Sequence, residues 1–117
     1  MRLLLATAVW LALSAGTAAL AQGTSTRLDN PTVNGQPIDH CADINAENEC
    51  SAAGQAKAAL RACIAHGFSD QAGFHWRPAS GMAVHYVTEY DMHAGEVGGR
   101  WVTQPTSGTF DWIACKK

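Results

Sequence analysis

No stretch of the chain is apolar for long enough to span a bilayer: the longest such run, Leu3 to Leu13, has eleven residues, against about 20 for a membrane helix. There is no basic cluster either, since Lys116 and Lys117 form only a terminal pair, which argues against a nucleic-acid or anionic-membrane partner. The cysteines form no C-x-x-C pair, which removes a thioredoxin-like redox motif and the knuckles of a structural zinc site. Nor is there a G-x-S-x-G elbow, the strand-to-helix turn that presents a hydrolase serine. Internal repeats and long low-complexity tracts are absent too. What remains is a small, mildly acidic chain with no motif that dictates a reaction, a cofactor or a metal.

What is present begins with an export signal. Arg2 supplies one positive charge, the apolar run follows, and Ala19-Leu20-Ala21 gives a small-residue cleavage pattern before Gln22. Cleavage there leaves 117 − 21 = 96 residues and, with Arg2 gone, takes the formal charge from −2 to −3. The expected location is periplasmic or secreted. Residues 22–37, QGTSTRLDNPTVNGQP, are polar and rich in turn formers and read as a flexible arm. Residues 38–117 read as one small domain.

Cys41, Cys50, Cys63 and Cys115 are an even set in a short exported chain, so disulfides are the expected use. The helix described next excludes one of the three connectivities. Cys50 and Cys63 stand at its opposite ends, about 20 Å apart at about 1.5 Å per residue, and a bridge needs Cα atoms within about 7 Å. The preferred pairing is Cys41–Cys50 with Cys63–Cys115. The alternative joins Cys41 to Cys63 and Cys50 to Cys115.

The helical segment is Ser51 to His66, SAAGQAKAALRACIAH. Ala53, Ala56, Leu60, Cys63 and Ile64 recur at spacings of three and four and would share an apolar face, with Lys57 and Arg61 turned to solvent. Ser51 suits the N-cap, and Gly67 suits the left-handed position that ends many helices. Beyond it, Phe74–Arg77, Met82–Asp91, Gly99–Gln104 and Thr109–Lys116 read as strands separated by Pro/Gly/Ser turns. The expected class is α+β: one helix (about 51–66) packed on a small antiparallel sheet of about four strands, stapled by disulfides.

Alternation along the last strand gives the functional expectation. If Cys115 faces the helix, so do Ile113 and Asp111, leaving Phe110 and Trp112 on the other face with Trp101 as a cross-strand neighbour. Such an aromatic face would suit a binding or interaction module with a protein or glycan partner. The competing expectation is a small metal-dependent or hydrolytic enzyme built on His85, Asp91 and His93, which would share a strand face if that strand ran far enough.

Overall fold

The computed structural model describes residues 24–44 and 47–117; the export-signal reading of 1–21 lies outside the described residues. In chain order the elements are β1 (Ser25–Asp29), β2 (Thr32–Val33), β3 (Gln36–Ile44), β4 (Glu47–Glu49), α1 (Ala52–Ala65), β5 (Asp70–Pro78), β6 (Met82–Asp91), β7 (Gly95–Pro105) and β8 (Gly108–Lys116).

The C-terminal half is one long antiparallel ribbon with a bend in it. From the hairpin at 91–95, β6 pairs with β7 from Asp91↔Gly95 to Met82↔Pro105. Both chains then turn together, with Thr106 N–H on Gly81 O and Ala79 N–H on Ser107 O. Pairing resumes between β5 and β8 from Pro78↔Gly108 to Asp70↔Lys116. Strand β3 fills the angle of the bend, parallel to β6 and antiparallel to the start of β8 through Asp39↔Thr109. β1 continues along the same edge of β8, from Asp29↔Trp112 to Ser25↔Lys116.

The expected α+β class with four antiparallel strands is therefore overturned. The protein is mostly β, with eight strands in one mixed sheet covering 63% of the described residues and a single helix covering 15%. The error lies in residues 24–49. Strand β3 has five consecutive buried residues, Ile38 to Ala42, because sheet neighbours and core enclose both its faces. A strand buried on both faces shows no alternation, and its parallel partner β6 lies across a crossover that no local pattern reveals.

The segment read as a flexible arm contains β1 and β2. Val33 is buried, Leu28 packs against the core, and a tight turn at Asn34 (φ 54°) and Gly35 (φ 76°) folds β2 onto β3. A chain starting at Gly35 would expose one edge of β8 and lose the burial of Val33 and half of Leu28. Its unfolding free energy should fall by about 2 kcal/mol. Urea denaturation checks this, and an unchanged midpoint would mean that β1 contributes nothing.

The helix keeps its expected limits but presents a different face. Ser51 is at the N-cap, although its side chain makes no capping bond, and His66 is at the C-cap. Phe68 N–H reaches Cys63 O at 2.9 Å and Gly67 N–H reaches Ile64 O at 3.0 Å, a Schellman closure made feasible by Gly67 at φ +88°. The buried residues are Gly54, Ala58, Ala59, Ala62 and Cys63, whereas Ile64 is 43% exposed. The ridge of smallest side chains wins because the sheet comes so close. A Cβ on Gly54 would stand 1.9 Å from the carbonyl oxygen of Glu49.

Lys57 and Arg61, expected in solvent, both bond Glu96 at the start of β7, and Arg61 lies over the Tyr86 ring at 5.2 Å. The hydrogen bond from Lys57 holds the Glu96 carboxyl below its ordinary range despite some desolvation. This clasp ties the helix to the β6–β7 hairpin.

The two disulfides are Cys41–Cys50 and Cys63–Cys115, the preferred pairing. They fit a small domain that matures in an oxidising compartment. Among the described residues no helix is long and apolar enough to cross a membrane.

Candidate functional site

The three aromatic residues expected on one binding face are not together. Phe110 is 2% exposed and sits in the core, edge-on to Phe74 at 5.5 Å. The cause is a bulge. His75 pairs with Trp112 and the next residue, Trp76, pairs with Phe110, so Asp111 is an extra residue on β8. An extra residue reverses the alternation, and Phe110 joins Ile113 and Cys115 on the core side. Trp101 lies on β7, where it meets Tyr86 edge-on at 5.1 Å, and β3 and β6 separate it from β8.

Trp112 does face outward. It is half-buried in the middle of three strands, with Asp29 of β1 on one side and His75 of β5 on the other. The His75 ring is near-parallel to the indole (14°) at 6.4 Å, and the Arg27 guanidinium lies over the indole at 4.7 Å. Gly73 borders it without a side chain; a Cβ there would meet the indole only at 3.9 Å.

The polar groups around this indole are paired with one another. Arg27 Nε donates to Asp29 Oδ1 at 2.9 Å. His75 Nδ1 donates to Asp111 at 2.8 and 3.0 Å, which leaves Nε2 for solvent on a side chain that is 61% exposed. Desolvation acts against Asp111, but the bond from His75, the charges of His75 and Arg77 and a backbone N–H together keep the carboxyl below its ordinary value. Arg77 donates to Asn30 Oδ1 at 3.1 Å. Exposed pairs of this kind stabilise by about 0–1 kcal/mol each, and an exposed cation–π contact by about 0.5–1 kcal/mol. They hold the side chains in place weakly enough for a ligand to rearrange them.

His85, Asp91 and His93 do not converge. Asp91 lies six residues beyond His85 on β6, about 20 Å at about 3.3 Å per residue. Its carboxylate accepts the backbone N–H groups of His93 and Ala94 at 2.8 and 2.9 Å, bonds that lower its pKa and shape the exposed hairpin. This trio assembles no metal or hydrolytic centre.

His85 belongs to a buried cluster that the sequence did not disclose. Val84 and Tyr86 point into the helix-side core, so His85 leaves the sheet on the opposite face. There Nδ1 donates to Asp39 Oδ2 at 2.6 Å and Nε2 donates to Asp43 Oδ1 at 2.7 Å. With both ring nitrogens donating, the ring is an imidazolium. Burial opposes that charge, but the bonds from the two carboxylates outweigh it and raise the His85 pKa. Asp39 behaves symmetrically. Burial pushes its pKa up, yet bonds from His85 and from Thr106 Oγ1 at 2.8 Å hold it below its ordinary value.

Both ring donors of His85 are used and the residue is 1% exposed, so the imidazolium itself offers no atom to a substrate. Nearby, His40 stacks on Trp76 at 4.0 Å and donates to Gly108 O at 2.8 Å. His40, Cys41 and Cys50 bring potential ligand atoms within 4.8 Å of one another, but both sulfurs are bound in a disulfide and offer no thiolate to a metal.

Compared with protein-family models, with curated proteins and with solved structures, the chain matches none.

Proposed function

We propose that this is an exported, non-catalytic binding domain that engages a protein or glycan partner through the outer face of β5, β8 and β1, centred on Trp112. The observation that carries the reading is the placement of that indole. It stands half-exposed at the middle strand of three, with Arg27 over it, Asp29 and His75 on either side and the His75-bound Asp111 next in the chain; Arg77 lies further along β5 on Asn30, and the core requires none of them. A large rigid aromatic among adaptable hydrogen-bonding groups is the usual anchor of a recognition surface. The Cys63–Cys115 bridge and the pairing of β8 with β1 and β5 on its two edges keep the strands beneath it fixed, so little order is lost on binding. Phe110 lies in the core beneath β8, and Trp101, on β7, is not part of this surface.

Extracellular and cell-envelope material, separated into a protein pool and a glycan pool, tests the reading by titration into isotope-labelled domain. Backbone amide shifts confined to Arg27–Asp29, Gly73–Arg77 and Asp111–Ala114 are expected with one pool. Shifts elsewhere, or none with either pool, would overturn it. In the same preparation Trp112→Ala should lower stability by only about 1 kcal/mol, against about 3–5 kcal/mol for a core tryptophan.

A further inference from the structure

We infer that the partner of the Trp112 face is a neutral glycan of hexopyranose units with equatorial hydroxyls, an inference that rests on the binding reading above. Charge is the first argument. The permanent charges on the face cancel: Arg27 and Arg77 against Asp29 and Asp111. Arg27 and Asp29 are paired at 2.9 Å, and Asp111 is held by His75 at 2.8 Å. Such a face has no net field with which to recruit an anion or a cation. It is complementary to a ligand without charge.

The kind of hydrogen bonding left open is the second argument. Each paired group keeps unused valences toward solvent: guanidinium N–H on Arg27 and Arg77, lone pairs on Asp29 and Asp111, and Nε2 of His75. Donors and acceptors therefore alternate within one side chain's reach of the indole. A sugar hydroxyl donates and accepts at once, so vicinal hydroxyls can satisfy both members of an Arg–Asp pair. A protein partner would bring a different requirement, an apolar centre several side chains wide. Here the apolar surface is one indole bordered by Gly73 and Ala114.

Shape completes the case. Three neighbouring strands make a patch about 10 Å across at about 4.8 Å per strand, the breadth of a short oligosaccharide. Arg27 rests over the indole with its side chain 59% exposed, so a pyranose ring can replace it there. A ring whose hydroxyls are all equatorial presents a flat C–H face to the aromatic surface. The displaced guanidinium remains at the rim, close to Asp29, and can bond the ring hydroxyls.

Cellohexaose and chitohexaose, with trigalacturonic acid as the charged control, are the probes, read by calorimetry and by amide shifts. The neutral sugars should bind with an affinity that does not change between low and high salt. Trp112→Ala should weaken binding about tenfold or more, as truncation of an aromatic anchor does. The double variant Arg27→Gln, His75→Gln should weaken it as well while leaving the indole in place. No binding of either neutral sugar at millimolar concentration would overturn the inference, as would binding indifferent to both variants or salt-dependent preference for trigalacturonic acid. If the sugars fail while the protein pool still shifts the amides of this face, the glycan inference falls and the binding reading stands. If neither acts on the face, both fall.

Discussion

Replacing His85 by alanine should reduce the unfolding free energy by about 3–5 kcal/mol, the cost of removing one partner from a buried ion pair. The reason is what stays behind. Asp39 is 3% exposed and would lose its bond from Nδ1, while Asp43 would lose its bond from Nε2. The buried Asp39 carboxylate and the partly exposed Asp43 carboxylate would then be left without the cation that stood between them. Against a typical total of about 5–15 kcal/mol, the variant should sit close to unfolding at room temperature. Adding Asp39→Asn and Asp43→Asn should restore part of the loss, because the repulsion goes with the charge.

The pH dependence follows from the same bonds, one sign at a time. The His85 pKa is raised in the folded state. Its contribution is fully present below about 6.5, the unfolded value, and is lost as pH rises through the raised folded value. The Asp39 pKa is depressed from 3.8, so its contribution is present above that value and lost as pH falls through the lower one. Wild type should be most stable in between and should weaken on the alkaline side. Urea titrations at several pH values measure both effects. A His85→Ala variant within about 1 kcal/mol of wild type, the range of an exposed pair, would show that the cluster is solvated rather than buried.

What could be read from the sequence was local. The limits of α1, its closure at Gly67 and the strand β6 follow from periods and spacings within about 20 residues, and the rigid length of the helix excludes one of the three disulfide pairings. What could not be read depends on partners distant in sequence. The buried run Ile38–Ala42 resembles no strand template, since its register with β6 exists only once the bend at 79–81 and 106–107 brings the two together. Phe110 faces the core and not the outer surface because one added residue at Asp111 reverses alternation, and no sequence signal marks that bulge. The Asp39–His85–Asp43 cluster needed both strands at once. One local signal does mark this region: Val33-Asn34-Gly35-Gln36 carries the Asn-Gly pair that favours a two-residue hairpin turn, and it joins β2, within residues 22–37, to the start of β3.

Removing the Cys63–Cys115 bridge by alanine substitution at both positions should cost about 4 kcal/mol, and removing Cys41–Cys50 about 2.7 kcal/mol. These values follow from loop-closure entropy for separations of 52 and 9 residues. Alanine is the right replacement, because both Cys63 and Cys115 are fully buried and a serine hydroxyl there would add an unsatisfied polar group. The long bridge matters more than its loop alone suggests. The buried face of α1 consists of Gly54, three alanines and Cys63, so each turn of helix hides little apolar area from water. The clasp to Glu96 lies at the surface. The bridge to β8 is therefore the strongest tether between the helix and the strand that carries Trp112. Its loss should lower the melting temperature by roughly 15–30 °C, at about 4–8 °C per kcal/mol for a domain of this size, and should leave the helix the first element to lose amide protection in hydrogen exchange. A larger drop from the Cys41–Cys50 pair would show that the short bridge, beside the buried His40 and the Asp39–His85–Asp43 cluster, governs stability through native packing and not through the length of the loop it closes.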